Sequence, residues 1–186
     1  MAGDPFDIVF ICTGNRFRSV IGEGLMKRLT EGMPVRTTSA GTLDLGPVEA
    51  LPEALELAPS LDLDLTEHRA RCVRNVDLTD ADLVLGFEYQ HLAAAVTEGG
   101  ARRERTFTVP ELVMLLEEGG TATDGGDPVA EAGRAVQRAD DARPGGHRPE
   151  IPDPLGGSPE VFRGTALEVR ALTERLAELL FGVRSS

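Results

Sequence analysis

Short apolar runs alternate with amphipathic stretches along this chain. Phe6–Ile11 (FDIVFI) reads as a buried strand. From Ser19 to about Met33, Val20, Ile21, Leu25, Met26 and Leu29 recur on one face of a helix. VRTTSAG, from Val35 to Gly41, predicts a second and weaker strand, because Val and Thr favour the extended backbone. A helical stretch from about Val48 to Ala58 follows. Asp82–Phe87 (DLVLGF) predicts a third strand, and Tyr89–Thr97 a helix after it. RTFTV, from Arg105 to Val109, is the fourth strand. Pro110 suits the first turn of a helix carrying Leu112, Val113, Leu115 and Leu116. Near the end, Ser158 reads as an N-cap, with Pro159 and Glu160 in the first turn. Phe162, Val169, Leu172, Leu176, Leu179 and Leu180 then keep helical spacing. No internal repeat is present.

This alternation predicts the α/β class: an open parallel sheet of about four strands, with helices on both faces, in a single domain over residues 1–186. Residues 117–150 differ in composition. GGTATDGGDP and RPGGHRPE flank one helical pattern there, which predicts a surface insertion with mobile ends. In open parallel sheets, ligands bind beyond the carboxyl ends of the strands. The stretch CTGNRFRS, Cys12–Ser19, lies at such an end.

Composition narrows the partners. With 41% hydrophobic but only 4% aromatic residues and no Trp, the core must be aliphatic. The formal net charge of −12 argues against nucleic acid or an anionic membrane as partner, since both require a basic face. No apolar run is long enough to span a bilayer, and the N-terminus lacks a basic region followed by a long apolar one, so no signal peptide is expected. Two cysteines make no disulfide framework, which suits the cytoplasm. Composition leaves the oligomeric state undetermined.

A cysteine at a strand-to-helix turn is compatible with packing, redox, metal or nucleophilic chemistry. The residues around Cys12 favour the last. Thr13, Gly14, Asn15, Arg16, Phe17 and Arg18 can curl so that successive backbone N–H groups point inward as an anion nest. Gly14 and Asn15 are the residue types that best tolerate positive φ. The helix starting near Ser19 aims its positive end at the same spot, and Arg18 adds a planar fork matched to two phosphate oxygens. Such surroundings favour a thiolate at Cys12, and Ser19 can donate a hydrogen bond to it. Metal binding lacks support, because no CxxC or His-x3-His spacing is present. Neither a GxGxxG nor a Walker loop occurs. No cofactor is implied.

VFICTGNRFRS resembles the signature of the low-molecular-weight protein tyrosine phosphatase family, Cys-x-Gly-Asn-x-Cys-Arg-Ser after an apolar strand. TTSAGT, LTEHRARCV and IPDPLGGSPEVFR resemble further family segments, so the likeness runs over nearly the whole chain. The resemblance implies that Asp153 protonates the leaving oxygen and then activates water against a phosphocysteine. Pro152 and Pro154 bracket Asp153 and stiffen its loop. The resemblance also implies that His68, and likewise Ser39, support Asn15. Cys72 reads as structural. His91 and His147 lie in polar sequence and carry no assigned role.

Three departures matter. Phe17 stands where the family usually has a second cysteine, so a local protective disulfide is not expected. Leu43-Asp44-Leu45 and Leu155-Gly156-Gly157 replace the aromatics common around the family's pocket. Arg16 stands at a wall position that is usually aliphatic in tyrosine-specific relatives and threonine in those acting on phosphoarginine. The expectation is a cysteine-dependent phosphomonoesterase acting on phosphorylated protein or a small phosphomonoester, phosphotyrosine first. Alternatives on the same loop are a phosphoarginine phosphatase and a thiol-assisted arsenate reductase; from another class, a non-catalytic oxyanion sensor.

Overall fold

A computed structural model describes residues 4–119, 126–146 and 148–183. Four parallel strands form the sheet: β1 (Phe6–Cys12), β2 (Val35–Gly41), β3 (Leu83–Gly86) and β4 (Thr106–Thr108), in the order β2-β1-β3-β4. Six α-helices accompany them among the described residues: α1 (Arg18–Leu29), α2 (Pro52–Leu57), α3 (Tyr89–Thr97), α4 (Val109–Gly119), α5 (Pro128–Asp141) and α6 (Pro159–Phe181).

Period-two alternation in β1 divides the core. Phe6, Ile8, Phe10 and Cys12 face a large cluster that also takes side chains from α1, α4, α5 and α6. Val9 and Ile11 face a smaller cluster with Ala94 and Ala95 of α3 and Val73, Leu78 and Ala81. Helices therefore cover both faces of the sheet, as the alternation predicts. Register aligns the carboxyl ends: Cys12 pairs with Gly41, Ile11 with Gly86, and Gly86 with Thr108. Cys72 is buried and bridges Gly41 from outside the named strands.

Several boundaries differ from expectation. α1 stops at Leu29, because Gly32 turns the chain with φ 80° ahead of Pro34. Pro52 opens α2, so residues 48–51 are not helical, and Ala58–Leu61 continues as a 3₁₀ turn. Val109 belongs to α4 rather than to β4. Within residues 117–150, α5 packs on the core, with Ala132, Ala135, Val136 and Ala139 buried in the large cluster. Their i, i+3, i+4, i+7 spacing makes one narrow apolar stripe of small side chains that lets the helix pack closely. Its polar remainder disguises that stripe in the composition. Residues 120–125 and His147 lie outside the described residues.

Candidate active site

β1 delivers Cys12 to the carboxyl end of the sheet, and α1 begins six residues later. Between them the chain must reverse tightly. Asn15 makes this reversal with φ 52°, the left-handed region that Asn tolerates better than most side chains. Asn15 is fully buried and held on every side. Its Nδ2 donates to Ser19 Oγ (2.9 Å) and Ser39 Oγ (2.7 Å). Its Oδ1 accepts from the Arg71 N–H (2.9 Å) and its carbonyl from His68 Nε2 (2.7 Å). Burial lowers the His68 pKa, while the Asn15 carbonyl opposes the shift by favouring the protonated ring.

Hydroxyl protons in this network are dictated by donor accounting. Ser39 accepts from Asn15 and donates to Glu23 Oε2. Ser19 accepts from Asn15, so its own proton is available to Cys12 Sγ, 3.0 Å away. The Asn15 N–H also donates to Cys12 Sγ, at 3.2 Å. Among the described residues, the N–H groups of Gly14, Arg16, Phe17 and Arg18 have no hydrogen-bond partner in the protein. Four unengaged amides around a thiol are what an anion nest requires.

Gly41 makes room for the loop. A Cβ there would lie 2.8 Å from Asn15 N and 2.9 Å from Gly14 C, against backbone that cannot move aside. Thr42 N–H donates to the Cys12 carbonyl and Leu43 N–H to the Thr13 carbonyl, tying the chain after β2 to the loop.

Arg18 is 1% exposed, and both of its terminal nitrogens are engaged within the protein. Nη1 donates to Glu88 Oε2 (2.6 Å) and the Ile151 carbonyl (2.8 Å). Nη2 contacts Asp153 Oδ2 at 2.7 Å and donates to Thr13 Oγ1 at 3.2 Å. The Phe87 ring lies 5.9 Å from the guanidinium carbon. Two carboxylates within ion-pair distance compensate the burial of this cation. Asp153 reaches it from a segment anchored by the Ile151 N–H to the Phe87 carbonyl (2.8 Å).

Cys12, Thr13, Gly14, Arg16, Phe17, Arg18, Leu43, Leu45, Leu51, Asp153 and Leu155 line one cavity of ≈ 210 Å³. The Phe17 ring packs edge-on against Phe162, with centroids 5.0 Å apart, so its contribution to an anion is its backbone. Arg16 Nε donates to the Glu49 carbonyl at 2.7 Å, which holds a cation on the cavity wall. Among the described residues no cluster of three His, Cys, Asp or Glu side chains is arranged to hold a metal.

A family model, the low molecular weight phosphotyrosine protein phosphatase, matches residues 7–131. The chain belongs to this phosphatase family. The chain is a phosphatase, a hydrolase acting on phosphomonoesters. This phosphatase is 28% identical over 176 residues to a protein-arginine-phosphatase of Bacillus subtilis (strain 168), covering 94% of this chain and 96% of the relative. It is 36% identical over 87 residues to a low molecular weight protein-tyrosine-phosphatase of Salmonella typhi, covering 47% and 57%. The crystal structure of a low molecular weight protein tyrosine phosphatase from T. tengcongensis superposes with TM-score 0.69 at 27% identity, covering 93% and 98%.

Two members of the phosphatase's site escape a reading of the sequence. Glu88 and His91 sit in the stretch FEYQHL, which reads as polar surface. His91 is in fact fully buried and contacts Thr13 Oγ1 through Nε2 at 3.0 Å. A capping box at the start of α3 joins the two residues, and Glu88 is an unusual cap. No spacing rule links position 88 to position 18; the parallel register of β1 and β3 does.

Proposed function

We propose that this phosphatase cleaves aryl phosphomonoesters, phosphotyrosine in proteins above all, through a phosphocysteine on Cys12. One observation carries the reading: Cys12, Arg18 and Asp153 line the same cavity, and the amides of Gly14, Arg16, Phe17 and Arg18 in the loop between them are unengaged. Cys12 Sγ attacks phosphorus in line as the P–O bond to the leaving group breaks. Arg18 and the amides of residues 13–18 hold the phosphoryl oxygens. Asp153 gives its proton to the departing oxygen. Water then attacks the phosphocysteine, Asp153 takes a proton from it, and the S–P bond breaks to release phosphate. Ser19 Oγ–H donates to the thiolate as it re-forms.

Leucines at 43, 45, 51 and 155 suit an aryl ring, and the Arg16 cation on the wall attracts a π-face while repelling a guanidinium. The second reading, phosphoarginine, is favoured by the near-full-length similarity to a protein-arginine-phosphatase. Comparing kcat/KM on phosphotyrosine and phosphoarginine peptides of the same sequence separates them: a higher value for phosphotyrosine is expected, and the reverse order overturns the choice. A Cys12→Ser variant that hydrolyses p-nitrophenyl phosphate like wild type would sink the mechanism itself.

A further inference from the structure

The proton inventory around Thr13 leads beyond the loop amides. His91 Nδ1 accepts from two backbone N–H groups, those of Phe87 (3.2 Å) and Glu88 (3.0 Å), so it carries no proton of its own. The ring proton is therefore on Nε2, which faces Thr13 Oγ1 at 3.0 Å and donates to it. Burial, with Arg18 adding to it, lowers the His91 pKa to about 3, so the ring stays neutral at physiological pH. Arg18 Nη2, which has only protons to offer, also donates to Thr13 Oγ1, at 3.2 Å. A hydroxyl oxygen has two acceptor sites and one proton. Both acceptor sites of Thr13 are filled, and its proton has no acceptor among the described residues. Thr13 lines the cavity with Cys12 and Asp153, and the same Nη2 that donates to it contacts Asp153 Oδ2.

We infer that the Thr13 hydroxyl is a further hydrogen-bond donor to the phosphoryl oxygens, held in its orientation by His91 and Arg18. The inference rests on the phosphatase reading of the cavity and adds a side-chain donor to the backbone nest. Thr13 touches the substrate; His91 is a positioning residue. Two fixed donors on one oxygen mean that its proton need not reorient as charge develops on the phosphoryl group, which is the property a preorganised donor requires. The ligand class is a tetrahedral or trigonal oxyanion of phosphorus or its analogue vanadate.

Calorimetric titration with vanadate tests the donor without depending on turnover. Thr13→Val is expected to bind vanadate about tenfold more weakly than wild type, and Thr13→Ser, which keeps the hydroxyl, within about threefold of it. Equal binding by Thr13→Val, or equal loss in Thr13→Ser and Thr13→Val, would overturn the inference. Should Thr13→Val not fold, Thr13→Ala carries the same comparison. For His91, ¹⁵N chemical shifts are expected to report the neutral tautomer protonated at Nε2, and one protonated at Nδ1 would overturn its role. His91→Gln, whose amide reaches as far as Nε2, should keep vanadate affinity while His91→Leu loses it; equal affinities in the two variants count against positioning. Failure of the wild type to hydrolyse any aryl phosphate would instead defeat the phosphatase reading, leaving the vanadate comparison intact.

Discussion

Asp153 Oδ2 lies 2.7 Å from Nη2 of Arg18, so the proposed acid and the proposed phosphate clamp touch across the cavity. The Leu155 N–H holds the other oxygen, Oδ1, at 3.1 Å. Both carboxyl oxygens are thus held in place on the cavity wall. Removing the carboxyl group should matter in proportion to how much protonation the leaving group needs. Asp153→Ala is expected to slow phenyl phosphate turnover by ~10²-fold or more, and p-nitrophenyl phosphate much less. Steady-state kinetics on the two esters check this; equal losses would remove Asp153 from the acid role.

The space at Gly41 gives a sharp structural prediction. Gly41→Ala puts a methyl group 2.8 Å from Asn15 N and should displace the loop. Activity is expected to fall by ~10²-fold, as a misplacement of about 1 Å can do. Asn15→Ala leaves buried partners at Ser19, Ser39 and Arg71 unsatisfied and should lower stability by about 1–3 kcal/mol. Urea unfolding of both variants separates lost geometry from lost stability.

His91 makes stability depend on pH with a definite sign. Its folded pKa of about 3 lies below the ordinary 6.5, so between these values the unfolded chain binds more protons than the folded one. Stability should therefore fall as pH drops from about 6.5 toward about 3, by at most about 1.4 kcal/mol per pH unit for this one group. His68, also lowered mainly by burial, acts in the same direction. His91→Gln should flatten that part of the profile, measured by denaturant unfolding at several pH values.

Oxidation should not cross-link the two cysteines. Cys12 pairs with Gly41 in register, and Gly41 bridges Cys72 on its other side. Two strand spacings put the Cα atoms about 9–10 Å apart, beyond the limit of about 7 Å for a disulfide. Intact-mass analysis and peptide mapping after peroxide are expected to find oxidised Cys12 without a bond to Cys72.

Arg16 tests the choice of substrate. With its Nε fixed on the Glu49 carbonyl, the guanidinium is held on the cavity wall. Arg16→Gln should raise the ratio of phosphoarginine to phosphotyrosine kcat/KM severalfold, by removing a like charge from beside the substrate guanidinium. An unchanged ratio on paired peptides would mean that the wall charge does not select.

Much of this could be read from residue order alone. Periodicity was enough for the parallel α/β class, because buried strands and amphipathic helices carry their period locally. The loop from Cys12 to Ser19 is contiguous, so its proposed nucleophile, turn residues and arginine are visible as a string. Asp153 needed the resemblance, since an Asp between two prolines is otherwise only a turn. How α5 packs is hard to read locally, because its buried stripe is four small residues within a polar segment. Only tertiary structure brought Glu88 to Arg18 and His91 to Thr13, across 70 and 78 residues. It likewise decided that Gly41 must lack a side chain. These relationships follow from which strand lies beside which and in what register, a consequence of packing the whole sheet, and no local pattern along the chain encodes that choice.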